Sequence, residues 1–264
     1  MNWIEALILG LLQGLTEFLP VSSSGHLELG MAYFGFTEGE NLTFNILVHG
    51  ATFLSVVVVF RKDIIHLIRE LFRFQWNIET QFIALLIISA VPVAVVGFVF
   101  KDQLEQLFEG NIVFVGSMLL ITATLLFLTR FAPHGTKSIT LKSALIIGLA
   151  QTLAVLPGIS RSGATISTAL YLGIDKVKAT RFSFLMVLIP IFGASLLELI
   201  DVASSTQASR ISVSALVAGT LAAFLSGLLA ASWMLSIVRK GKLYYFSIYC
   251  VVVGVIAIIT GMAG

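Results

Sequence analysis

The sequence predicts an all-α polytopic membrane protein. Of its 264 residues 58% are hydrophobic and only 11% are charged, and the mean hydropathy is +1.01. A soluble domain of this length needs a more highly charged surface. Apolar stretches of about 18–25 residues recur along the chain, and each is long enough to cross the hydrocarbon core of a bilayer. We therefore expect residues 1–264 to form a single membrane domain.

Ten helical segments are predicted, of which six are long apolar runs and four are shorter. The long runs are Thr43–Phe60, Phe82–Phe100, Ile112–Phe131, Phe182–Leu199, Val213–Val238 and Leu243–Met262. The shorter segments form two pairs, Trp3–Phe18 with Ser24–Phe36 and Leu141–Leu156 with Ser162–Leu172. The second member of each pair is too short to span a bilayer at 1.5 Å per residue, so each pair is predicted to be a re-entrant helix-loop-helix hairpin. Because non-helical backbone at membrane depth must be enclosed by protein or line a water-filled cavity, the interruptions at 20–25 and 157–163 indicate a buried polar centre.

The distribution of basic residues predicts the orientation of the chain. Thirteen of the sixteen Lys and Arg residues lie in four connections that this topology places on one face, 61–81, 130–142, 173–181 and 239–242. Only Lys101 and Arg210 lie on the other face. The positive-inside rule puts the basic face in the cytoplasm and both termini outside. We expect the connection 61–81 to be an amphipathic cytoplasmic loop at the lipid surface.

The chain contains an internal repeat. Residues 6–25 and 144–163 align without gaps at an offset of 138 and share ten identities in twenty positions, including matched Gly, Gln and Ser. Each repeat, about 1–131 and 139–264, contains one hairpin and three spans. Because three is odd, the second repeat enters the membrane from the opposite side, which is an inverted-topology repeat. The tips of the two hairpins are then expected to meet near the midplane of the membrane.

The first tip carries polar side chains at helical spacing. Gln13 and Glu17 are four residues apart and therefore share one helix face. Ser22, Ser23 and Ser24 precede the next helix, where hydroxyls act as N-caps. His26 follows in the first turn of that helix.

The second tip repeats this arrangement with a cation. Ser160 and Ser162 flank Arg161 at the start of a helix, and Thr165 follows one turn later. Helix N-termini bind phosphate through free N–H groups, and guanidinium groups bind it bidentately. Two such N-termini with Arg161 between them predict an anion site.

Both motifs resemble the signatures of the undecaprenyl-diphosphate phosphatase family, also called the bacitracin-resistance protein family. The first signature begins with Glu or Gln, followed after three residues by Glu and then by the stretch Pro-Val-Ser-Ser-x-Gly-His. It matches Gln13, Glu17 and the stretch 20–26. The second, Pro-Gly-x-Ser-Arg-Ser-x-x-Thr, matches 157–165. Length, repeat and segment order match as well, so the resemblance covers the whole chain. It implies a multi-pass enzyme of the bacterial plasma (inner) membrane that converts undecaprenyl diphosphate to undecaprenyl phosphate on the outer, periplasmic side. Such an enzyme recycles the lipid carrier of peptidoglycan synthesis and confers bacitracin resistance.

The resemblance also implies the site residues. Carried over by position, the catalytic residues are Glu17, Ser23, His26 and Arg161, and the phosphate-binding residues are Ser22, Ser160, Ser162, Thr165 and Gln13. The family is associated with a divalent cation, Mg²⁺ or Ca²⁺, for which Glu17 is the natural ligand. Many members have Glu where this chain has Gln13, so one carboxylate is lost, and Glu28 is a candidate to replace it.

Two mechanisms remain open at the level of sequence. In one, the hydroxyl of Ser23 attacks the terminal phosphorus while His26 or Glu17 takes its proton. In the other, a metal-activated water attacks directly. His49 lies in a predicted span without a motif partner, and we expect it to make a helix contact.

Other functions remain to be distinguished from hydrolysis. Inverted repeats with broken helices are typical of transporters, so a transporter or flippase of a phosphorylated lipid or anion is the principal alternative. A non-catalytic membrane scaffold is a third class.

Nucleic acid is excluded as a partner because the chain has no basic run with interleaved aromatics. The single cysteine, Cys250, excludes an intramolecular disulfide. The expected partners are the polyprenyl diphosphate substrate and membrane lipids, and the sequence leaves open whether the protein is a homodimer.

Overall fold

The computed structural model describes residues 1–36, 42–100, 111–193 and 211–263. These residues are helical apart from short connections and one isolated β-bridge between Lys137 and Ile174. The predicted all-α class is therefore confirmed. The helices are α1 Trp3–Phe18, α2 Ser23–Tyr33, α3 Leu42–Val59, α4 Arg61–Leu71, α5 Ile78–Val99, α6 Ile112–Leu128 with a 3₁₀ turn Thr129–Phe131, α7 Leu141–Leu153, α8 Arg161–Tyr171, α9 Lys176–Met186, α10 Val213–Arg239 and α11 Tyr245–Ala263.

Five stretches of helix in the described part of the chain are long and apolar enough to cross a membrane. They are Leu42–Val59, Ile78–Val99, Ile112–Phe131, Val213–Val238 and Tyr245–Ala263. Large apolar side chains such as Ile87, Leu229 and Ile256 are more than half exposed on these helices. An exposed apolar surface of this kind, on helices long enough to span a bilayer, is typical of contact with lipid. The chain is therefore a multi-pass membrane protein.

The predicted span Phe182–Leu199 differs from the structure in its described part. Helix α9 begins earlier, at Lys176, where the side chain of Asp175 caps the first turn by accepting from the N–H groups of Val177 and Lys178. The helix is interrupted at Val187, and helical backbone resumes at 188–193. Pro190 explains the interruption, because proline has no N–H to donate and its ring clashes with the carbonyl four residues earlier. Residues 194–199 lie outside the described residues.

The basic connection 61–81 is not simply a loop, because its first half forms helix α4. Leu67 and Glu70 are buried on one side of α4, whereas Ile65 and Ile68 are about half exposed on the other. The expectation of a loop throughout 61–81 is therefore wrong for this first half. The helix forms because its apolar residues recur at helical spacing, with an acidic residue in the first turn and a basic one in the last.

Helices α1–α2 and α7–α8 form helix-loop-helix pairs at the positions of the two predicted hairpins, with similar caps. The hydroxyl of Ser22 accepts from the N–H of Gly25 at 3.4 Å, and the hydroxyl of Ser160 accepts from the N–H of Gly163 at 3.1 Å. Ser22 and Ser160 are related by the offset of 138 found in the sequence. One helix of each hairpin ends three residues earlier than predicted, α2 at Tyr33 and α7 at Leu153.

Glycines place the hairpins against the spans. Gly10 on α1 packs against the backbone of Gly219 on α10, and Gly148 on α7 packs against the backbone of Ser89 on α5. Small residues at such crossings allow close helix approach within a membrane. The tips also touch each other, since a Cβ atom on Gly25 would lie 3.1 Å from Cα of Gly158. The two hairpin loops therefore lie side by side within the helix bundle.

Candidate active site

The carboxylate of Glu17 is the centre of the site. Glu17 lies in the last turn of α1, and its side chain is 2% exposed. Its Oε2 accepts from Nε2 of Gln13 at 2.9 Å and from Oγ of Ser23 at 2.5 Å. Its Oε1 forms an ion pair with Arg161 of the second hairpin. Four residues expected at the site, three on the first hairpin and one on the second, are thus joined through one buried carboxylate.

The backbone of the first tip is held in an unusual conformation at Ser22. Ser22 has a backbone φ of 69°, which is uncommon for a residue other than glycine. The conformation turns the chain between the end of α1 and the start of α2. It leaves Ser23 as the first residue of α2, with its hydroxyl against Glu17.

The second tip is anchored by a residue of α6. The hydroxyl of Thr122 donates to the carbonyl of Gly158 and accepts from the N–H of Ser160, each at 2.9 Å. Gly158 has φ of 96°, a conformation that requires glycine. Ser162 reaches across to the first hairpin and donates to the carbonyl of Leu19 at 3.2 Å. These bonds place the N-terminus of α8, with Arg161, beside the end of α1.

Two expected site residues lie away from the carboxylate cluster. Thr165 contacts the hydroxyl of Ser183 on α9 at 2.5 Å and the carbonyl of Arg161 at 2.8 Å. His26 lies against the carbonyl of Ser22 through Nδ1 and against the hydroxyl of Tyr249 through Nε2. Both ring nitrogens of His26 are therefore occupied by groups other than Ser23. Of the two bases considered for Ser23, the geometry favours Glu17.

A small cleft opens beside the ion pair. It is lined by Glu17, Phe18, Arg161, Ser162, Ser183, Phe184 and Val187, and its cavity volume of about 10 Å³ is the space of one water molecule. Phe18 and Phe184 stack with ring centroids 5.8 Å apart and form its apolar wall. The cleft thus pairs a charged side with an apolar side. It must widen to admit a diphosphate.

The donor atoms at the site suit a hard cation. Carboxylate and amide oxygens are ligands that Mg²⁺ and Ca²⁺ prefer. Besides the Glu17 carboxylate, Oε1 of Gln13 is buried and accepts no hydrogen bond from any described residue. Within the described ranges, however, no group of three or more His, Cys, Asp or Glu side chains is arranged to hold a metal ion. Glu28, the candidate for the missing carboxylate, is therefore not part of such a group there. The described residues at the site therefore offer only part of a coordination shell.

Comparison with known proteins places the chain in a family. The family model described as bacitracin resistance protein BacA matches residues 6–256. The chain belongs to this family. A protein of Christiangramia forsetii named undecaprenyl-diphosphatase is 54% identical over 265 residues, which cover 100% of both chains. Proteins with the same name from Bacteroides fragilis and Korarchaeum cryptofilum are 51% and 41% identical, over 98% and 97% of this chain and 98% of each relative.

Three residues of this BacA-family chain contact the site but were not assigned to it from the sequence. Thr122, Ser183 and Tyr249 lie in or near apolar helices and carry no local motif. His49 was expected to make a helix contact, and its Nδ1 does lie 2.8 Å from the carbonyl of Asn45. Only the fold brings Thr122, Ser183 and Tyr249 to the hairpin tips.

Proposed function

We propose that this protein is an integral membrane phosphatase that hydrolyses undecaprenyl diphosphate to undecaprenyl phosphate and inorganic phosphate. The observation that carries the proposal is the contact of Ser23 and Arg161 with the same buried carboxylate, Glu17. Ser23, Glu17 and Arg161 thus bring together a hydroxyl nucleophile, a base and a positive charge, which are groups that serve phosphoryl transfer. Full-length relatives named undecaprenyl-diphosphatase supply the substrate class. In a bacterial inner membrane this activity would recycle the lipid carrier of peptidoglycan synthesis and confer bacitracin resistance.

The chemical step follows from the hydrogen bonds at Glu17. Glu17 takes the proton of Ser23 while Oγ attacks the terminal phosphorus, and the bond from that phosphorus to the bridging oxygen breaks. Undecaprenyl phosphate leaves, and a phosphoserine remains. Water then attacks the phosphoserine, releases inorganic phosphate and restores the serine hydroxyl. Direct attack by water on the diphosphate is the alternative, and it needs no phosphoserine.

Arg161 and the two helix N-termini stabilise the charge of the diphosphate. Guanidinium binds phosphate oxygens bidentately, and the N–H groups at the starts of α2 and α8 add a partial positive charge. In the structure Arg161 is paired with Glu17, so an incoming phosphate must replace the carboxylate at the guanidinium. The separation of this pair frees Glu17 to act as a base. Ser22, Ser160 and Ser162 cap or flank the two N-termini at which the phosphates would bind.

A divalent cation, Mg²⁺ or Ca²⁺, is part of the proposal. Glu17 and Gln13 would hold it from the protein side, and oxygens of the substrate would complete its shell. When bound, the ion supplies neutralisation of the diphosphate charge. Oε1 of Gln13 supports this assignment, because it is buried and accepts no hydrogen bond within the described part of the chain.

The inverted-topology repeat is supported by reciprocal packing between the two halves. Gly116 on α6 and Gly254 on α11 differ by the repeat offset of 138. A Cβ on Gly116 would lie 2.7 Å from the carbonyl oxygen of Gly254, and a Cβ on Gly254 would lie 2.9 Å from that of Gly116. Residues that contact their own repeat mates lie on the pseudo-twofold axis of such a structure.

Packing of each hairpin on a helix of the other half also supports an inverted-topology repeat. Hairpin helix α1 packs on α10 of the second half, and hairpin helix α7 packs on α5 of the first half. We propose six spans and two re-entrant hairpins, with both termini outside and the site open to the periplasmic side. Labelling tests this orientation. In a Cys250→Ser background, an impermeant maleimide should reach Arg73→Cys only from the cytoplasm, and labelling of intact cells would exclude it.

The packing of the two halves also favours a second candidate function, transport of a phosphorylated lipid or anion on the same scaffold. The purified protein distinguishes the two. Release of inorganic phosphate from undecaprenyl diphosphate in detergent, where there is no compartment to cross, supports the enzyme. Movement of the lipid across proteoliposomes without phosphate release supports the transporter and excludes the proposal.

A further inference from the structure

Tyr249 lies next to the site but carries none of the chemistry described so far. It projects from the second turn of α11, 223 residues along the chain from His26. Its hydroxyl lies 2.9 Å from Nε2 of His26, and the two rings stack at a centroid distance of 5.5 Å and an interplanar angle of 10°. Tyr249 is 43% exposed, whereas His26 is buried. The pair therefore links the first tip to the surface of α11.

The hydrogen bonds of His26 fix its tautomer. Nδ1 lies 2.8 Å from the carbonyl oxygen of Ser22, which can only accept, so Nδ1 carries the proton in the neutral ring. Nε2 then has a lone pair, and the hydroxyl of Tyr249 donates to it. A neutral imidazole whose second nitrogen is satisfied in this way is held in one orientation.

The bond from His26 to Ser22 has a consequence for the nucleophile. Ser22 is the residue with positive φ that turns the chain into α2, and its carbonyl also accepts from the backbone N–H of His26 at 3.1 Å. Such a conformation persists only where its surroundings enforce it. The next residue is Ser23, whose hydroxyl contacts Glu17.

We infer that Tyr249 is a positioning residue of the phosphatase: by holding His26 against the Ser22 carbonyl it fixes the turn that aims Ser23 at Glu17. It acts through His26 and touches neither substrate nor reacting atoms. The inference rests on the proposed function for its kinetic consequence. Its structural part, the tautomer of His26, does not depend on that function.

The test compares Tyr249→Phe, which keeps the ring and removes the hydroxyl, with Tyr249→Leu, which removes both. The matched control is Tyr245→Phe, one turn away on α11 and 53% exposed. We expect Tyr249→Phe to lower kcat about fivefold to tenfold, the loss that corresponds to one uncharged hydrogen bond, with KM within twofold of wild type. Tyr249→Leu should be at least as impaired, and Tyr245→Phe should match wild type.

A second readout is independent of activity. In protein labelled with ¹⁵N-histidine, the His26 signals are assigned by their loss in His26→Gln. Wild type should show the Nδ1–H tautomer with a hydrogen-bonded Nε2, and Tyr249→Phe should shift the Nε2 signal and populate the other tautomer. An unchanged His26 spectrum in Tyr249→Phe, or kcat equal to wild type, overturns the inference. A wild-type protein that releases no phosphate but shows the spectral change defeats the proposed function alone.

Discussion

Glu17 and Arg161 form an ion pair that joins the two hairpins across 144 residues of chain. The side chain of Glu17 is 2% exposed and that of Arg161 is 21% exposed, so Arg161 is the partner that an entering phosphate meets first. A buried carboxylate that is also the acceptor for Gln13 and Ser23 competes directly with the substrate for the guanidinium. The pair is thus both the resting arrangement of the site and the contact that substrate binding must break.

Replacement of Glu17 by Gln should separate binding from turnover. The amide keeps the shape of the carboxylate but removes the negative charge that competes for Arg161 and repels phosphate. In the presence of a chelator, a non-hydrolysable diphosphate analogue of the lipid should bind at least about tenfold more tightly, a gain of about 1.4 kcal/mol. Phosphate release should fall by at least about a hundredfold, because the base is lost. Weaker binding of the analogue would contradict the competition.

The stability of the pair can be measured with a double-mutant cycle. Arg161→Ala leaves a buried carboxylate without its cation and should destabilise the protein, by up to about 3–5 kcal/mol for a fully buried pair and less here because Arg161 is partly exposed. Glu17→Gln combined with Arg161→Ala should recover part of this loss without recovering activity. Thermal unfolding in detergent provides the measurement. If Arg161→Ala were as stable as wild type, the ion pair would have no structural role.

Much of the fold follows from the sequence because hydrophobicity is a direct signal in a membrane protein. The start and end of α1 coincide with the predicted Trp3–Phe18, and the Pro, Ser and Gly interruptions locate both tips. The break at Val187 was missed although Pro190 signals it, because the apolar run was treated as continuous. Helix α4 was missed because 61–81 was interpreted as an amphipathic loop, although its apolar residues recur at helical spacing.

The site residues also fall into those that the sequence predicts and those that it does not. Gln13, Glu17, Ser23 and Arg161 lie in two local motifs, and the predicted meeting of the hairpins is enough to bring them together. Tyr249 cannot be found by such reasoning, since it lies 223 residues from its partner in an apolar helix with two other tyrosines nearby. Residues that support a site from distant helices require coordinates.

The reciprocal contact of Gly116 and Gly254 predicts two matched substitutions. An added methyl group at either position would meet the carbonyl oxygen of the other at 2.7 or 2.9 Å, closer than such contacts allow. Overpacking of this kind typically costs about 1–3 kcal/mol. Gly116→Ala and Gly254→Ala should therefore both lower the unfolding temperature by similar amounts.

The control for these variants is Gly97→Ala. A Cβ on Gly97 would meet no described atom within 4 Å, so this change should leave the unfolding temperature at or slightly above that of wild type. A large effect at only one of Gly116 and Gly254 would argue against equivalent positions on an axis.

Restoring a carboxylate at position 13 tests the cation. Gln13→Glu adds a charged oxygen ligand on the helix face of Glu17, and more ligand charge strengthens binding of hard cations. The Mg²⁺ or Ca²⁺ concentration for half-maximal phosphate release should fall about tenfold, which corresponds to a gain of about 1.4 kcal/mol in the free energy of cation binding. Gln13→Asn, which withdraws the amide oxygen, should raise it. Activity that does not depend on the cation in wild type or in either variant would remove the ion from the proposal.

The most direct test of the account is phosphate release from undecaprenyl diphosphate by purified wild type and Ser23→Ala, with the exposed α10 residue Ser232→Ala as the hydroxyl control. The account predicts turnover by wild type and by Ser232→Ala, and a loss of about a thousandfold or more in Ser23→Ala, because the attacking oxygen at Glu17 is gone. Turnover by Ser23→Ala at the wild-type rate would contradict it.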